Sequence, residues 1–171
     1  MVGIKVEQKK RRHGHLKLKT RFIIRKFADD EAHKRDNPYE VKRFASNMGL
    51  NEGIADWIDL ACGLGSPTTF NNANSQTGVG DSTTAEAATQ TDLQAATNKT
   101  YVGMDATYPS RSAQTVSFRS TYGSAVANYA WQEFIVRNGA TALKDIIRKV
   151  SAQGTKTSGQ TWELTIQITM S

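Results

Sequence analysis

The sequence predicts a mainly β fold: an antiparallel β-sandwich or jelly-roll-like domain with one short helix and an extended basic N-terminal β arm. Three observations predict it. From Trp162 to Met170 every second residue is apolar, and Glu163, Thr165, Gln167 and Thr169 fall between them. That period of two is the mark of a half-buried antiparallel strand. Leu16 to Phe27 alternates in the same way, with Leu16, Leu18, Phe22 and Ile24 on one face and Lys17, Lys19, Arg21, Ile23 and Arg25 on the other. The last third of the chain is cut into short β-prone runs by Gly, Ser and Asn turns, as in sandwiches. A length of 171 residues with 38% hydrophobic content suits one core, divided into a basic arm and β-hairpin over 1–43 and a sandwich body over 44–171.

Taken in order, Met1 to Gly14 is polar, includes the run Lys9-Lys10-Arg11-Arg12, and reads as an extended arm. Leu16 to Phe27 is the first strand. Ala28 to Pro38 is charged and ends in Asn37-Pro38, a turn signal. Tyr39 to Phe44 then returns as a second strand. Asn51 to Cys62 reads as a helix: Asn51 is placed to cap it, Glu52 favours the positive end of its dipole, and Ile54, Trp57, Ile58 and Ala61 fall on one face. Gly63 is its C-terminal stop. Ser66 to Thr91 is expected to be loop, with a short strand at Gly78-Val79-Gly80-Asp81, and Thr91 to Ala96 is expected to form one helical turn. Strands follow at Thr100–Asp105, Thr115–Tyr122, Ala130–Val136 and Leu143–Ser151, before the closing one.

Charge is segregated. Residues 1–43 carry 14 Lys/Arg against 6 Asp/Glu, a net of +8, and residues 44–171 carry 8 against 10, a net of −2. A basic segment on a nearly neutral body calls for a partner of negative potential: nucleic acid, an acidic protein surface or another copy. No run of about 18 apolar residues exists to span a membrane, and no secretory signal pattern is visible.

Chemistry-bearing residues are sparse. Cys62 is alone, which excludes an intrachain disulfide and a thiolate cluster, and it reads as a small buried residue. His13, His15 and His33 all lie among Lys and Arg, a poor setting for a metal. No histidine follows His33 to complete a Ser-His-Asp triad, and no G-x-S-x-G elbow occurs. Gly78-Val79-Gly80 lacks the third glycine of a dinucleotide loop. Asp81, Asp92 and Asp105 lack calcium-loop spacing. Glu133, between Trp131 and Phe134, has the setting of a general acid in a pocket, but the preferred reading turns it to solvent or pairs it with an arginine such as Arg119 or Arg137. No catalytic residue, metal or cofactor is assigned. Aromatic residues interleave with charge at Arg21-Phe22, Lys26-Phe27 and Arg43-Phe44, the pattern of a nucleic-acid face, but the alternation explains Phe22 as core. A basic strand with an apolar back serves equally to clamp a neighbour by β-augmentation.

Three stretches together, Gly78-Val79-Gly80-Asp81-Ser82-Thr83-Thr84 with Thr89-Gln90-Thr91-Asp92-Leu93, Ala127 to Phe134, and Gly154 to Ile166, resemble small virion structural proteins of tailed bacteriophages. The first stretch also resembles the N-terminal module of tail-collar fibre proteins. The resemblance covers roughly residues 47–171 and, more weakly, the strand at 16–27. It implies a non-enzymatic β-rich module that assembles into a particle, with the major capsid protein or other virion proteins as partners and a homo-oligomer, commonly a trimer, as its state. A module of this size with a basic arm fits an accessory capsid (decoration or cement) protein on the capsid surface; a tail, collar, neck or baseplate component is the alternative, and a nucleic-acid-binding protein the lower one. The residues expected to carry assembly are Lys9, Lys10, Arg11, Arg12, Lys17, Lys19, Arg21 and Arg25. Trp57, Trp131 and Trp162 are assigned to the core or partly to a subunit interface.

Overall fold

A computed structural model describes residues 17–46, 48–139 and 143–171. Its elements run β1 (Leu18–Phe27), α1 (Asp30–Lys34), β2 (Glu40–Ser46), α2 (Asn51–Cys62), β3 (Ser75–Gly80), β4 (Lys99–Gly103), β5 (Ser110–Ser112), β6 (Thr115–Tyr122), β7 (Glu133–Asn138), β8 (Lys144–Val150) and β9 (Thr161–Met170). The strands form two antiparallel sheets, ordered β2-β1-β9-β6-β5 and β4-β3-β7-β8, packed face to face as a β-sandwich.

The alternation of β1 and β9 produces the inner face of the first sheet. Phe22 lies opposite Ile166, which in turn lies opposite Phe118 on β6, and directly opposed residues share a face. Phe22, Ile24, Phe118, Tyr122, Trp162, Leu164, Ile166 and Ile168 meet Val79, Phe134, Val136 and Ile147 from the second sheet. Trp131 stands edge-on to both Tyr122 and Trp162, with ring centroids 4.8 Å away in each case. Tyr122 donates its hydroxyl to the Thr77 carbonyl at 2.9 Å, tying one sheet to the other.

The second sheet is covered on both faces. All six residues of β7 are buried, so its sequence reads as a near-continuous run rather than an alternation. The outer cover is α2 together with the segment 81–98. Gly53 presses α2 onto β8 so closely that a Cβ there would stand 2.3 Å from the Ile146 Cα. Leu50, Leu93 and Ile135 form a second, smaller apolar cluster beneath this cover.

Local expectations fare unevenly. The helix spans Asn51–Cys62 and stops at Gly63 in the left-handed region, φ 67°. Asn51 does not cap it: Leu50 occupies the N-cap with no side-chain bond, and the Asn51 amide donates to the Ala88 carbonyl. Residues 28–38 contain a short helix, α1, because the Asp29 side chain accepts from the Ala32 amide at 2.6 Å. Thr91–Ala96 forms no helical turn. The amides there turn to carboxylates instead, Leu93 to Asp92 and both Gln94 and Ala95 to Glu133.

Candidate functional site

The outer face of the first sheet is built by the polar half of each alternating strand. On β1 this half is Lys19, Arg21, Ile23 and Arg25; Arg21 lies opposite Ala45 on β2 and Gln167 on β9, and Ile23 lies opposite Arg43 and Thr165. On β6 the matching positions are Thr115, Ser117 and Arg119. Lys19 and Arg21 flank a shallow depression of about 690 Å³ that is otherwise lined by Thr, Ser, Gln and Ala, with no acidic residue. Lys17, Lys19, Arg21 and Arg43 are exposed and form no ion pair among the described residues. They give one end of the sheet an open positive field over hydroxyl and amide groups, a surface suited to carboxylates or phosphates.

At the other end the charge is consumed internally. Arg25 bonds Asp36 and reaches Glu163 at 3.5 Å, while His33 and Arg119 approach the same Glu163 at 3.8 and 3.7 Å. Lys26 is buried, donates to the Gln153 carbonyl at 2.6 Å, pairs with Glu40 at 2.7 Å and lies over the Trp162 ring. The eight predicted assembly residues therefore divide three ways. Lys17, Lys19 and Arg21 are exposed, Arg25 is engaged in the Glu163 network, and Lys9, Lys10, Arg11 and Arg12 lie outside the described residues, as do His13 and His15. Arg43 joins the exposed set through strand pairing, which the charge pattern alone does not register.

Glu133 does pair with an arginine, but with Arg148 rather than Arg119 or Arg137, and it does not face solvent. It is fully buried; its Oε2 accepts from Arg148 at 2.6 and 2.9 Å, and its two oxygens accept from the Gln94 and Ala95 amides. A Cβ on Gly80 would stand 2.4 Å from Glu133 Oε1, so the second glycine of Gly78-Val79-Gly80 makes room for this carboxylate. Arg148 reaches on to the Gln90 side chain and the Thr84 carbonyl. The pair is a staple that holds the 81–98 cover on the sheet.

Cys62 is exposed rather than buried, because it lies on the last turn of α2 away from β8. Trp131 and Trp162 are buried, whereas Trp57 is half-buried, edge-on to Phe70. Half of the α2 apolar stripe is also uncovered: Ile54 is 39% and Ile58 54% exposed. With Leu18, Trp57, Ile146 and Met170 these residues line an apolar groove of about 670 Å³.

Two buried ionisable residues carry no sequence signal. Asp145 on β8 is inaccessible, and neither carboxylate oxygen has a hydrogen-bond partner among the described residues. Burial pushes its carboxyl up to about 7, against the pull of Arg137 3.8 Å away. Lys156 donates to the Gly123 carbonyl and the Asn128 side chain at 2.8 Å, and burial brings its ammonium down to about 8. Among the described residues no group of three or more His, Cys, Asp or Glu stands where it could hold a metal ion, and no helix is long and apolar enough to cross a membrane.

No family model, curated protein or solved structure was found to match this chain.

Proposed function

We propose that this protein is a non-enzymatic structural component of a tailed-bacteriophage virion, an accessory capsid protein of the decoration or cement kind that binds the major capsid lattice. The reading rests on the virion-protein resemblance of residues 78–93, 127–134 and 154–166. The observation that carries it further is the open basic field of Lys17, Lys19, Arg21 and Arg43, placed where the basic segment 1–16 joins a rigid sandwich. An acidic lattice surface attracts such a field. An arm and a sheet face engaging neighbouring subunits together add many weak contacts into lasting attachment. The collar-like character of residues 78–93 favours a second reading, a tail, neck or baseplate component that docks through the same surface.

The test is incorporation. A protein carrying Lys19→Glu and Arg21→Glu is expected to fold as the parent does and to be depleted from purified particles by about tenfold or more, since reversing charges in a complementary interface replaces attraction by repulsion. Incorporation at the parental level would remove this face from assembly.

A further inference from the structure

We propose that the open edge of β2 is a docking site for an extended acidic segment of a partner protein, which joins the first sheet as a further antiparallel strand with carboxylates opposite Lys42 and Arg43. The inference does not rest on the virion assignment. β2 lies at the rim of the first sheet and pairs only with β1, in unbroken register from Thr20 opposite Ser46 to Lys26 opposite Glu40. Its seven residues contain no proline and no bulge. Among the described residues its backbone bonds to no other element. Alternate residues of such a strand turn their N–H and C=O groups away from the sheet, ready to pair with another chain.

The other three rims are covered or short. On β8, the Asp145 amide donates to Glu52 at 2.9 Å, the Val150 amide donates to Glu86 at 2.7 Å, and the Ile146 carbonyl accepts from the Leu50 amide at 3.0 Å. β5 has three residues. β4 has five, and its Val102 carbonyl accepts from the Ser120 hydroxyl at 3.1 Å. Among the described residues β2 is therefore the rim left open over a full strand, and main-chain pairing along such a rim is a recurring mode of peptide recognition.

Charge selects the occupant. Phe44 stacks on Phe22 at 5.0 Å, so the even-numbered residues of β2 face inward and Val41, Arg43 and Ala45 face outward. Directly opposed residues of an antiparallel pair share a face, and like charges there destabilise it. A second copy pairing along the whole of β2 would set Arg43 opposite Arg43. A slip by two residues toward Glu40 would set Lys42 opposite Lys42, and the opposite slip would leave Glu40 and Val41 unpaired. A foreign strand with Asp or Glu opposite both cations meets attraction instead. Glu40 does not compete for these positions, because it is held between Lys26 at 2.7 Å and Lys42 at 2.8 Å. Arg43 is exposed and forms no ion pair among the described residues. Half-buried Phe44 offers its ring to an apolar residue opposite. The segment that fits thus reads apolar, acidic, acidic.

The test uses the full-length protein and two peptides: Thr-Val-Ile-Glu-Glu-Val-Thr, and the same peptide with Lys-Lys in place of Glu-Glu. The acidic peptide is expected to bind about tenfold or more tightly than its lysine counterpart and to slow amide hydrogen exchange in β2. Lys42→Glu combined with Arg43→Glu is expected to reverse the preference. N-methylation of the acidic peptide separates strand pairing from charge attraction and leaves the protein untouched. Methylating one alternate set of peptide amides is expected to abolish binding and methylating the other to spare it, because only one set faces β2. Equal tolerance of both sets would overturn the proposal, as would no binding of either peptide at concentrations on the order of millimolar. Exchange in β2 that slows with rising protein concentration in the absence of peptide would also overturn it and give the edge to another copy.

Discussion

Glu133 and Arg148 face each other with no access to water, and each satisfies the other's charge while bonding the backbone of the 81–98 cover. Removing one partner leaves an uncompensated buried charge, which costs about 3–5 kcal/mol. Arg148→Met is therefore expected to lower the urea unfolding free energy by that amount. A loss below about 1 kcal/mol would mean that the pair does not hold the cover. Asp145 and Lys156 set the pH dependence. The Asp145 carboxyl has a higher pKa folded, about 7, than unfolded, near 4. The folded state thus holds the extra proton, and this contribution is fully present below pH 4 and lost as pH rises to 7. Its size is at most about 4 kcal/mol. Lys156 acts in the opposite sense in a different window. Its folded pKa of about 8 lies below the unfolded value near 10.4, so stability rises with pH between these values. Urea midpoints measured at pH 5 and pH 7.5 are expected to fall with pH in the parent and to flatten in Asp145→Asn. A parent midpoint that rises over that interval would contradict the assignment.

Elements that bury one face are the most legible in the sequence. The alternation in β1 and β9 marks their inner faces, because the residues between the core positions are polar and mostly less buried, although Thr161 and Glu163 on the outer face of β9 are buried too. The 12-residue α2 is legible from its stripe and its Gly63 stop, but the direction in which the stripe points is not. It is Gly53, a position without a side chain, that meets β8, and this leaves Ile54 and Ile58 half uncovered. Gly53→Ala is expected to destabilise by about 1–3 kcal/mol as an overpacked contact with strand backbone; a neutral result would mean that α2 is not seated on Ile146. β7 begins at Glu133 rather than at Ala130, since a strand covered on both sides has no alternation to mark its start. Among the site residues, exposure of Lys19 and Arg21 follows from the period of two. The engagement of Arg25 and the recruitment of Arg43 depend on cross-strand neighbours that only the register supplies. The burial of Glu133 is not legible, because its partner Arg148 and its bonds to Gln94 and Ala95 lie on separate elements.

At the scale of the molecule, a sandwich with one basic sheet end and a cation-free stretch from Phe44 to Asn98 has an oriented charge distribution. Such orientation steers docking more than it stabilises the fold. Removing residues 1–15 is accordingly expected to leave the β-rich circular-dichroism spectrum intact and to abolish incorporation into particles; incorporation of the truncated protein at the parental level would take the arm out of assembly. Duplex DNA is expected to bind no more tightly than about 10⁻⁶ M at physiological salt, the range of sequence-independent contacts. Tighter binding that collapses with added salt would favour a nucleic-acid partner over a protein lattice. The most direct test of the virion assignment is the number of copies of this protein per particle, measured by quantitative mass spectrometry against the major capsid protein. A decoration protein is expected at a ratio near one or a simple fraction of it. A handful of copies in multiples of three or six would contradict a capsid-lattice role and place the protein in the neck, tail or baseplate, and absence from purified particles would contradict a structural role altogether.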